Sequence, residues 1–325
     1  MRHLRESERG GNRDLAQMSR RYAAIDCGTN AIRLLIAEHD GDWRDITREM
    51  RTVRLGENID ATGEFSPAAL QRTFHACSEY AEMLVQYPVS ALRFVATSAS
   101  RDARNRDEFF EGVRQFLHVT PEVITGDEEA RLSYLGAVRG VPGLDGALLV
   151  ADIGGGSTEF VVGEGEIVRA ARSVDIGCVR MTERHLWSDP PTKNEIQAAT
   201  ETIDALLAQV ETDVPVRTAA HFVGLAGSVT TVAAMALDLP AYQAERIHGA
   251  FVSASQVAQV TATLLAMTRA ERSSLPFMHP GRVDVIGGGA LILDRIIRAW
   301  GLQGVIAAET DILDGIVFSL AGDVT

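Results

Sequence analysis

The chain contains two segments with the same order of apolar, acidic and glycine residues, and an internal repeat of this kind restricts the fold more than any single motif. The first segment begins with the apolar run Tyr22–Ile25, continues through the polar turn at 26–30 (Asp-Cys-Gly-Thr-Asn), and ends in a second apolar run, Ile32–Ala37. Short apolar runs bounded by turn residues are typical of buried strands. The pattern therefore predicts a strand, a polar turn and a second strand.

The second copy lies near the middle of the chain. There the apolar run Ala147–Ala151 is followed by the turn at 152–159, which reads Asp-Ile-Gly-Gly-Gly-Ser-Thr-Glu, and then by Phe160–Val162. A hairpin signal and a third strand follow in both segments. The ends of those third strands, Arg51–Gly56 and Arg172–Gly177, are identical or closely similar at five of six positions. We therefore predict that the two halves of the chain share one topology.

Alternating helices and strands follow each set of three strands, which predicts an α/β architecture of two helix-covered sheets with a cleft between them. Because 325 residues exceed what one core usually organises, two domains are expected. We predict a disordered tail at 1–20, a first domain at 21–140 plus 309–325, and a second domain at 141–308. The predicted helices are Ala68–Val85, Arg106–Leu117, Glu128–Val138, Lys193–Val210, Ser228–Ala236, Ser255–Met267 and Glu309–Leu320, and the further predicted strands are Leu92–Ala96, Glu122–Ile124, Phe222–Leu225 and Val305–Ala308.

The formal net charge of −13 argues against a surface built to bind nucleic acid or anionic lipid, although it is compatible with a local phosphate site. No apolar run approaches the ~18 residues of a membrane span. The three cysteines, Cys27, Cys77 and Cys178, have neither metal-binding nor disulfide spacing. We therefore expect a cytoplasmic protein with no nucleic-acid or membrane partner.

Asp26 and Asp152 each end a strand and are each followed two positions later by glycine. A carboxylate in that position can hold Mg²⁺, and glycine lets backbone amides approach phosphate oxygens. Either loop alone is better explained by a tight hairpin without a ligand, whereas the pair favours a phosphate site. The consecutive glycines Gly154, Gly155 and Gly156 add to this, because a simple hairpin does not need their conformational freedom.

Other residues near these turns are further candidates. Arg33 lies on the second strand, while Ser98 and Arg101 follow a strand end, where open α/β sheets hold their ligands. The alternative for each arginine is a solvated surface position. Glu129 lies in an acidic first helical turn, for which the helix dipole is one explanation and a catalytic base is the other. The cluster Gly287–Gly289 predicts either a turn or a helix start that accepts phosphate.

Six stretches, in order along the chain, resemble the exopolyphosphatase and guanosine pentaphosphate phosphohydrolase family. They are Ala24–Leu35, Val95–Asn105, Ile124–Leu135, Val150–Phe160, Gly224–Thr231 and Arg282–Leu293. The acidic helix followed by the triple-glycine loop is the most specific part, because sugar kinases, chaperone ATPases and actin share the loops but not that helix. The resemblance implies a duplicated actin-like ATPase fold, which is ribonuclease H-like.

The resemblance also implies a Mg²⁺-dependent exopolyphosphatase, which removes terminal orthophosphate from inorganic polyphosphate, or an enzyme that removes the 5′ γ-phosphate of guanosine pentaphosphate. By position in the motifs, Glu129 matches the catalytic base, Glu159 matches a second catalytic acid, and Asp152 with Glu159 matches the Mg²⁺ site. The residues expected to bind phosphate are Asp26, Gly28, Thr29, Asn30, Arg33, Ser98, Arg101, Gly154, Gly155, Gly156, Ser157 and Arg282.

Two departures from the family pattern concern the substrate. Ala31 replaces the usual serine or threonine, which removes one hydroxyl contact with phosphate. The chain stops at residue 325, before the helical C-terminal domains of longer members, so short polyphosphate chains are expected to be preferred. An ATP-dependent kinase that uses Gly287–Gly289 for adenosine, and a non-catalytic sensor of polyphosphate or alarmone, are the alternative functions. A homodimer is compatible with the resemblance, which leaves the choice between polyphosphate and guanosine pentaphosphate open.

Overall fold

The computed structural model describes residues 20–322, and within them the strands form two sheets. The strands are β1 (Arg20–Cys27), β2 (Ala31–Asp40), β3 (Asp42–Thr52), β4 (Ala91–Ala96), β5 (Glu122–Val123), β6 (Ala147–Ile153), β7 (Thr158–Glu164), β8 (Ile167–Val174), β9 (His221–Leu225), β10 (Phe251–Ser253) and β11 (Gly304–Ala307). The first sheet has the order β3-β2-β1-β4-β5, and the second has the order β10-β11-β9-β6-β7-β8.

Helices join and cover these strands. They are α1 (Ile59–Thr62), α2 (Pro67–Gln86), α3 (Ser98–Asp102), α4 (Arg106–Leu117), α5 (Gly126–Gly140), α6 (Cys178–His185), α7 (Lys193–Asp213), α8 (Ala226–Ala236), α9 (Ala244–Ile247), α10 (Ala254–Ala266), α11 (Arg269–Ser273), α12 (Ile286–Trp300) and α13 (Ile312–Leu320), with short 3₁₀ turns at Val216–Thr218 and Pro280–Arg282. All of the predicted helices and strands are present, with small shifts at their ends. At the C-terminus, α13 begins at Ile312 rather than Glu309, because the Asp311 carboxylate caps it by accepting from the Leu313 amide at 3.0 Å.

Both sheets begin with three consecutive antiparallel strands, β1–β3 in the first and β6–β8 in the second. On the other side of β1 lies β4 in parallel, followed by β5, and on the other side of β6 lies β9 in parallel, followed by β11. The predicted duplication is therefore confirmed. It makes the carboxyl ends of β1 and β6, where the two strand-ending aspartates lie, equivalent places in the two sheets.

The C-terminal helix α13 packs on the first sheet. Its residues Ile312, Leu313 and Ile316 are buried in one apolar cluster with side chains of β1, β2 and β4. Gly136 of α5 allows this approach, because a Cβ added there would lie 1.9 Å from the carbonyl oxygen of Asp311. The chain therefore returns to its first half at its end, as the predicted discontinuous first domain requires.

The domain boundaries at 140/141 and 308/309 stay a prediction. Residues 1–19 and 323–325 lie outside the described part of the chain, and so does nearly all of the predicted tail; Arg20 begins β1. Among the helices between residues 20 and 322, none has the length and apolar character needed to cross a membrane.

Candidate functional site

Asp26 and Asp152, both buried, line one cleft between the two sheets. The loops that follow them come into contact, because a Cβ added to Gly156 would lie 2.5 Å from Ser98 Oγ and 2.7 Å from Thr29 Oγ1. The predicted site residues that line this cleft are Asp26, Gly28, Thr29, Asn30, Arg33, Ser98 and Glu129 from the first half, and Asp152, Gly154, Gly155, Gly156, Ser157, Glu159 and Arg282 from the second. The structure thus brings together residues from both halves of the sequence, some of which are separated by more than half its length.

Arg33 is fixed by two carboxylates. On β2 it lies directly opposite Asp26 of β1, and its Nε and Nη2 atoms donate to Asp26 Oδ2 at 3.1 and 2.6 Å. Its Nη1 atom forms an ion pair with Asp311. Burial raises the pKa of Asp26, and the charge of Arg33 opposes that rise. The other oxygen of Asp26, Oδ1, is buried and has no hydrogen-bond partner.

Asp152 and Glu159 form an acidic pair in the second half. They lie opposite each other in the antiparallel pair β6–β7. Asp152 Oδ2 accepts a hydrogen bond from Ser133 Oγ at 2.7 Å, and Glu159 Oε1 accepts one from Ser173 Oγ at 2.7 Å. Burial, followed by the charge of Glu159, raises the pKa of Asp152 to about 7. Burial also raises the pKa of Glu159, against the hydrogen bonds that it accepts.

Glu129 reaches the cleft from the first turn of α5. Thr125 caps this helix, its hydroxyl accepting from the Glu128 amide at 3.2 Å. Glu128 points elsewhere and pairs with Arg93, whereas Glu129 is buried and accepts a hydrogen bond from Arg101 Nη1 at 2.7 Å. Burial and then the charge of Glu159 raise the pKa of Glu129 well above its ordinary value, while Arg101 opposes the rise. Two buried glutamates therefore interact across the cleft.

The two glycine loops are closed as turns. The Gly28 amide donates to the carbonyl of Ala31 at 2.9 Å, and the Gly154 amide donates to that of Ser157 at 3.0 Å. Since these amides are used within the turns, Gly28 and Gly154 would serve a ligand by leaving room for it. For each loop alone, a tight hairpin and a phosphate site are alternatives. In this fold both loops are hairpin turns, and these turns form walls of the cleft.

The two remaining predicted arginines differ in position. Arg101 is not among the cleft-lining residues; it lies behind Glu129 and also donates to the carbonyl of Ile124 at 3.1 Å. Arg282 lines the cleft, donates to Thr231 Oγ1 at 3.2 Å, and lies with its guanidinium carbon 5.9 Å from the ring centroid of Tyr242. Arg101 is thus placed to act on Glu129, and Arg282 is placed to meet a ligand.

The cluster Gly287–Gly289 opens helix α12 and is buried in helix packing. A Cβ added to Gly288 would lie 2.8 Å from Thr182 Oγ1, and one added to Gly289 would lie 2.1 Å from Ser228 Oγ. These glycines therefore let α12 approach α6 and α8 closely. Their local packing accounts for them without an adenosine ligand.

Three site residues were missed by sequence reasoning: Ser133, Ser173 and Asp311. Ser133 follows Glu129 by four positions and so lies on the same face of α5, which is a signal that the sequence contains. Ser173 lies within the repeated segment at 172–177. Asp311 begins an Asp-x-x-Asp capping pattern, but its pairing with Arg33 joins residues 278 positions apart and leaves no local signal.

Residues 20–322 contain no group of three or more His, Cys, Asp or Glu side chains arranged to hold a metal ion by themselves. The cleft nevertheless offers oxygen donors of the kind that Mg²⁺ prefers. Asp152 and Glu159 are neighbouring carboxylates, and Asp26 Oδ1 is a buried carboxylate oxygen without a partner. Mg²⁺ is commonly bound through one or two carboxylates together with substrate phosphates, so these residues fit it.

A second cavity of about 460 Å³ adjoins the cleft and shares Arg33, Met50, Gly227 and Arg282 with it. Arg48 adds a third arginine to its lining, and Tyr242, Phe277 and Met278 add apolar surface. The cleft is therefore continuous with a larger space in which a substrate can extend beyond the reacting group.

Comparisons with known proteins identify the family of this chain. The family model of the Ppx/GppA phosphatase family matches residues 35–323. Exopolyphosphatase 2 of Mycobacterium tuberculosis is 47% identical over 316 residues, which cover 93% of this chain and 99% of that protein. The guanosine-5′-triphosphate,3′-diphosphate pyrophosphatase of Aeromonas salmonicida is 30% identical over 303 residues, and the match spans 93% of this chain but 60% of that protein.

Solved structures give the same result. A crystal structure described as an exopolyphosphatase-like protein has a TM-score of 0.89 and 41% identity, and the match covers 93% of this chain and 98% of that one. The fold is the duplicated actin-like ATPase fold that the sequence predicts. With a family match over most of its length and a close relative over nearly all of it, the chain belongs to the Ppx/GppA phosphatase family.

Proposed function

We propose that the protein is an exopolyphosphatase that releases terminal orthophosphate from inorganic polyphosphate by hydrolysis and depends on Mg²⁺. One observation carries the proposal: the buried carboxylate of Glu129 lines the same cleft as both strand-ending aspartates and both glycine loops. Hydrolysis of a phosphoanhydride needs a positioned water, a proton acceptor and groups that neutralise the phosphoryl oxygens. The cleft contains residues suited to each of these tasks.

Glu129 is the proposed base. It accepts the proton of the attacking water, and Arg101 holds the carboxylate and favours its ionised form. Glu159 is the second acid, held by Ser173 at 2.7 Å. Removing a general base of this kind typically costs about 10²- to 10⁴-fold in rate. Arg33 and Arg282 are the proposed side-chain donors to phosphate, with Ser98 and the loops at 28–30 and 154–157 around them.

The carboxylates of Asp152 and Glu159 would hold Mg²⁺, and the orphaned Oδ1 of Asp26 offers a further oxygen. When bound, the ion would neutralise charge on the phosphate oxygens and help to orient them. Its binding would also relieve the repulsion that, after burial, keeps the pKa of Asp152 near 7. Activity should therefore be lost when EDTA removes the metal and should return when Mg²⁺ is added.

Polyphosphate is the preferred substrate in this proposal, and the 5′ γ-phosphate of guanosine pentaphosphate is the alternative. The exopolyphosphatase of Mycobacterium tuberculosis matches over 99% of its length, whereas the guanosine-pentaphosphate enzyme of Aeromonas salmonicida has lower identity and matches over 60%. The adjoining cavity has Arg33, Arg48 and Arg282 in its lining beside Glu49, Glu309 and Asp311, and the arginines offer cationic groups for phosphates beyond the first. A cytoplasmic homodimer is part of the proposal on the family resemblance alone, and sedimentation analysis would test the dimer.

The test is phosphate release from polyphosphates of defined length, guanosine pentaphosphate and ATP, each with Mg²⁺. Glu129→Gln should abolish most of the activity while keeping the size of the side chain. Glu128→Gln is the matched control, because its neighbouring carboxylate pairs with Arg93 and does not line the cleft. Wild-type protein that releases no phosphate from any of these substrates, or equal loss in the two variants, would contradict the proposal.

A further inference from the structure

Asp311 lies between β11 and α13 and holds Arg33 through a guanidinium nitrogen that Asp26 does not bind. Arg33 Nη1 is ion-paired with Asp311 Oδ2, while Nε and Nη2 donate to Asp26. The side chains of both aspartates are 7% exposed, against 21% for Arg33. A guanidinium fixed by two buried carboxylates, one on the first strand and one just before the last helix of the described chain, has little freedom to turn.

Arg33 has N–H groups that the two aspartates do not use. A guanidinium has five N–H groups, and the two aspartates engage three of them, one each on Nε, Nη1 and Nη2. One N–H group on each of the two Nη atoms is therefore still available. Arg33 lines the cleft, so these N–H groups can donate to the oxygens of a phosphate.

Both carboxylate oxygens of Asp311 have partners. Its Oδ2 atom faces Arg33, and its Oδ1 atom accepts from the Leu313 amide at 3.0 Å, at the N-terminus of α13 where the helix dipole favours an anion. Asp311 therefore opposes an incoming phosphate less than a free carboxylate would, although it shares the single charge of Arg33 with Asp26.

We propose that Asp311 is a positioning residue for substrate binding, which holds the Arg33 guanidinium so that its two remaining N–H groups bind phosphate oxygens. This inference rests on the proposed function, since it takes Arg33 to be a phosphate ligand. Asp311 lines the adjoining cavity, and it acts on the substrate through Arg33. The last segment of the chain therefore completes a site whose other parts come from the two repeated halves.

The helix-capping role of Asp311 has to be separated from this effect. Asn and Ser also cap helices well, so Asp311→Asn and Asp311→Ser remove the charge and keep a cap. Asp314 provides the matched control. It belongs to the same capping box, accepting from the Asp311 amide at 2.8 Å, and it pairs with Arg48 at 2.6 Å, but it does not line the cleft or the adjoining cavity.

The experiment measures the Kd of tripolyphosphate by calorimetry, with Mg²⁺ and in a Glu129→Gln background that prevents turnover, together with KM and kcat of the same variants carrying Glu129. Asp311→Asn and Asp311→Ser should each raise Kd and KM on the order of 10-fold and change kcat less. In an Arg33→Gln background, Asp311→Asn should add less than about 2-fold, because its target is gone. Asp314→Asn should lower the urea midpoint, and any change in Kd that it causes through Arg48 should be the same with Arg or Gln at position 33.

Unchanged or tighter tripolyphosphate binding by the Asp311 variants would overturn the inference. A full additional loss in the Arg33→Gln background would overturn it too, because Asp311 would then act by another route. The same set of proteins separates this inference from the proposed function. Absence of phosphate release from every substrate refutes the enzyme, whereas the calorimetric comparison still decides whether Asp311 acts through Arg33.

Discussion

Arg33 on β2 and Glu159 on β7 occupy the same position in the two halves of the chain. Arg33 lies opposite Asp26 across β1–β2, and Glu159 lies opposite Asp152 across β6–β7. The first aspartate therefore has a cation as its partner at 2.6 Å, and the second has another acid. This difference breaks the symmetry of the duplicated fold and explains why we propose that Mg²⁺ binds in the second half, where the two paired strand positions are both acidic.

Replacing Asp152 with asparagine should stabilise the metal-free protein at high pH. The pKa of Asp152 is raised in the folded state to about 7, from an ordinary value of 3.8. Between these values the folded state keeps a proton that the unfolded state has lost, so this group lowers the free energy of unfolding as pH rises through that window. The asparagine side chain has no charge to desolvate and can still accept from Ser133. Urea unfolding in EDTA should show the variant to be more stable than wild type at about pH 8, with little difference at about pH 4; equal differences at both would contradict this.

Arg101→Gln should move the acid limb of the activity profile to higher pH. Arg101 lowers the pKa of Glu129 against the effect of burial, and a base must be ionised to accept a proton. Without Arg101 the pKa of Glu129 rises further. As the pH is lowered, kcat/KM should therefore begin to fall at a higher pH than in wild type. Arg93→Gln is the control, because Arg93 pairs with Glu128 on the same helix. A limb at the wild-type position in Arg101→Gln would refute the assignment of Glu129 as the titrating base.

Gly28→Ala and Gly156→Ala should fail in different ways. The nearest atom to a Cβ at Gly28 is the Ala31 carbonyl oxygen at 3.6 Å, which is an ordinary contact, so the folded protein should tolerate Ala there. At Gly156 the added Cβ would overlap Ser98 and Thr29, and overpacking of this kind costs about 1–3 kcal/mol.

If phosphate approaches Gly28, the Gly28→Ala variant should keep wild-type stability and show a raised KM. Gly156→Ala should lower both the free energy of unfolding and the activity. Urea unfolding and steady-state kinetics on both variants check this. A Gly28→Ala enzyme with wild-type KM would mean that phosphate does not come close to that turn.

Arg180→Met should weaken the contact between the two halves. The side chain of Arg180 is 7% exposed; its Nε donates to the carbonyl of Gly156 at 2.8 Å, its Nη2 to Asp102 at 2.7 Å, and its Nη1 pairs with Asp60. We expect the free energy of unfolding to fall by about 2 kcal/mol, since Asp60 and Asp102 are partly exposed and regain solvent. Arg184→Met removes a more exposed partner of Asp60 and should cost less than about 1 kcal/mol. Similar losses in both variants would argue against a special role for Arg180.

Local signals were sufficient for much of the fold. The turns after β1 and β6, the helix that bears Glu129 and the C-terminal helix were all predicted from apolar runs, glycine and acidic residues. These features depend on interactions within a few residues, which is why a sequence can specify them. The repeat then made the paired loops predictable, because two copies of one unit form equivalent sheets.

Other assignments depended on groups that are far apart in the chain. The Gly287–Gly289 cluster could not be assigned locally, because what decides its role is the surface of α6 and α8 against it. Arg101 had the right residue type for a phosphate ligand, yet the packing of α5 beside it directs its guanidinium to Glu129.

By itself the sequence determined the two strand-turn-strand units, the acidic helix and the presence of the last helix, since each is set by neighbours along the chain. Only the tertiary structure decided that Arg33 meets Asp311, that Glu159 stands where the other half has an arginine, and that one cleft collects both glycine loops and Glu129. The physical reason is burial. The pKa values and the ion pairs of these groups arise when closure of the two sheets removes water from charges that the linear sequence keeps apart.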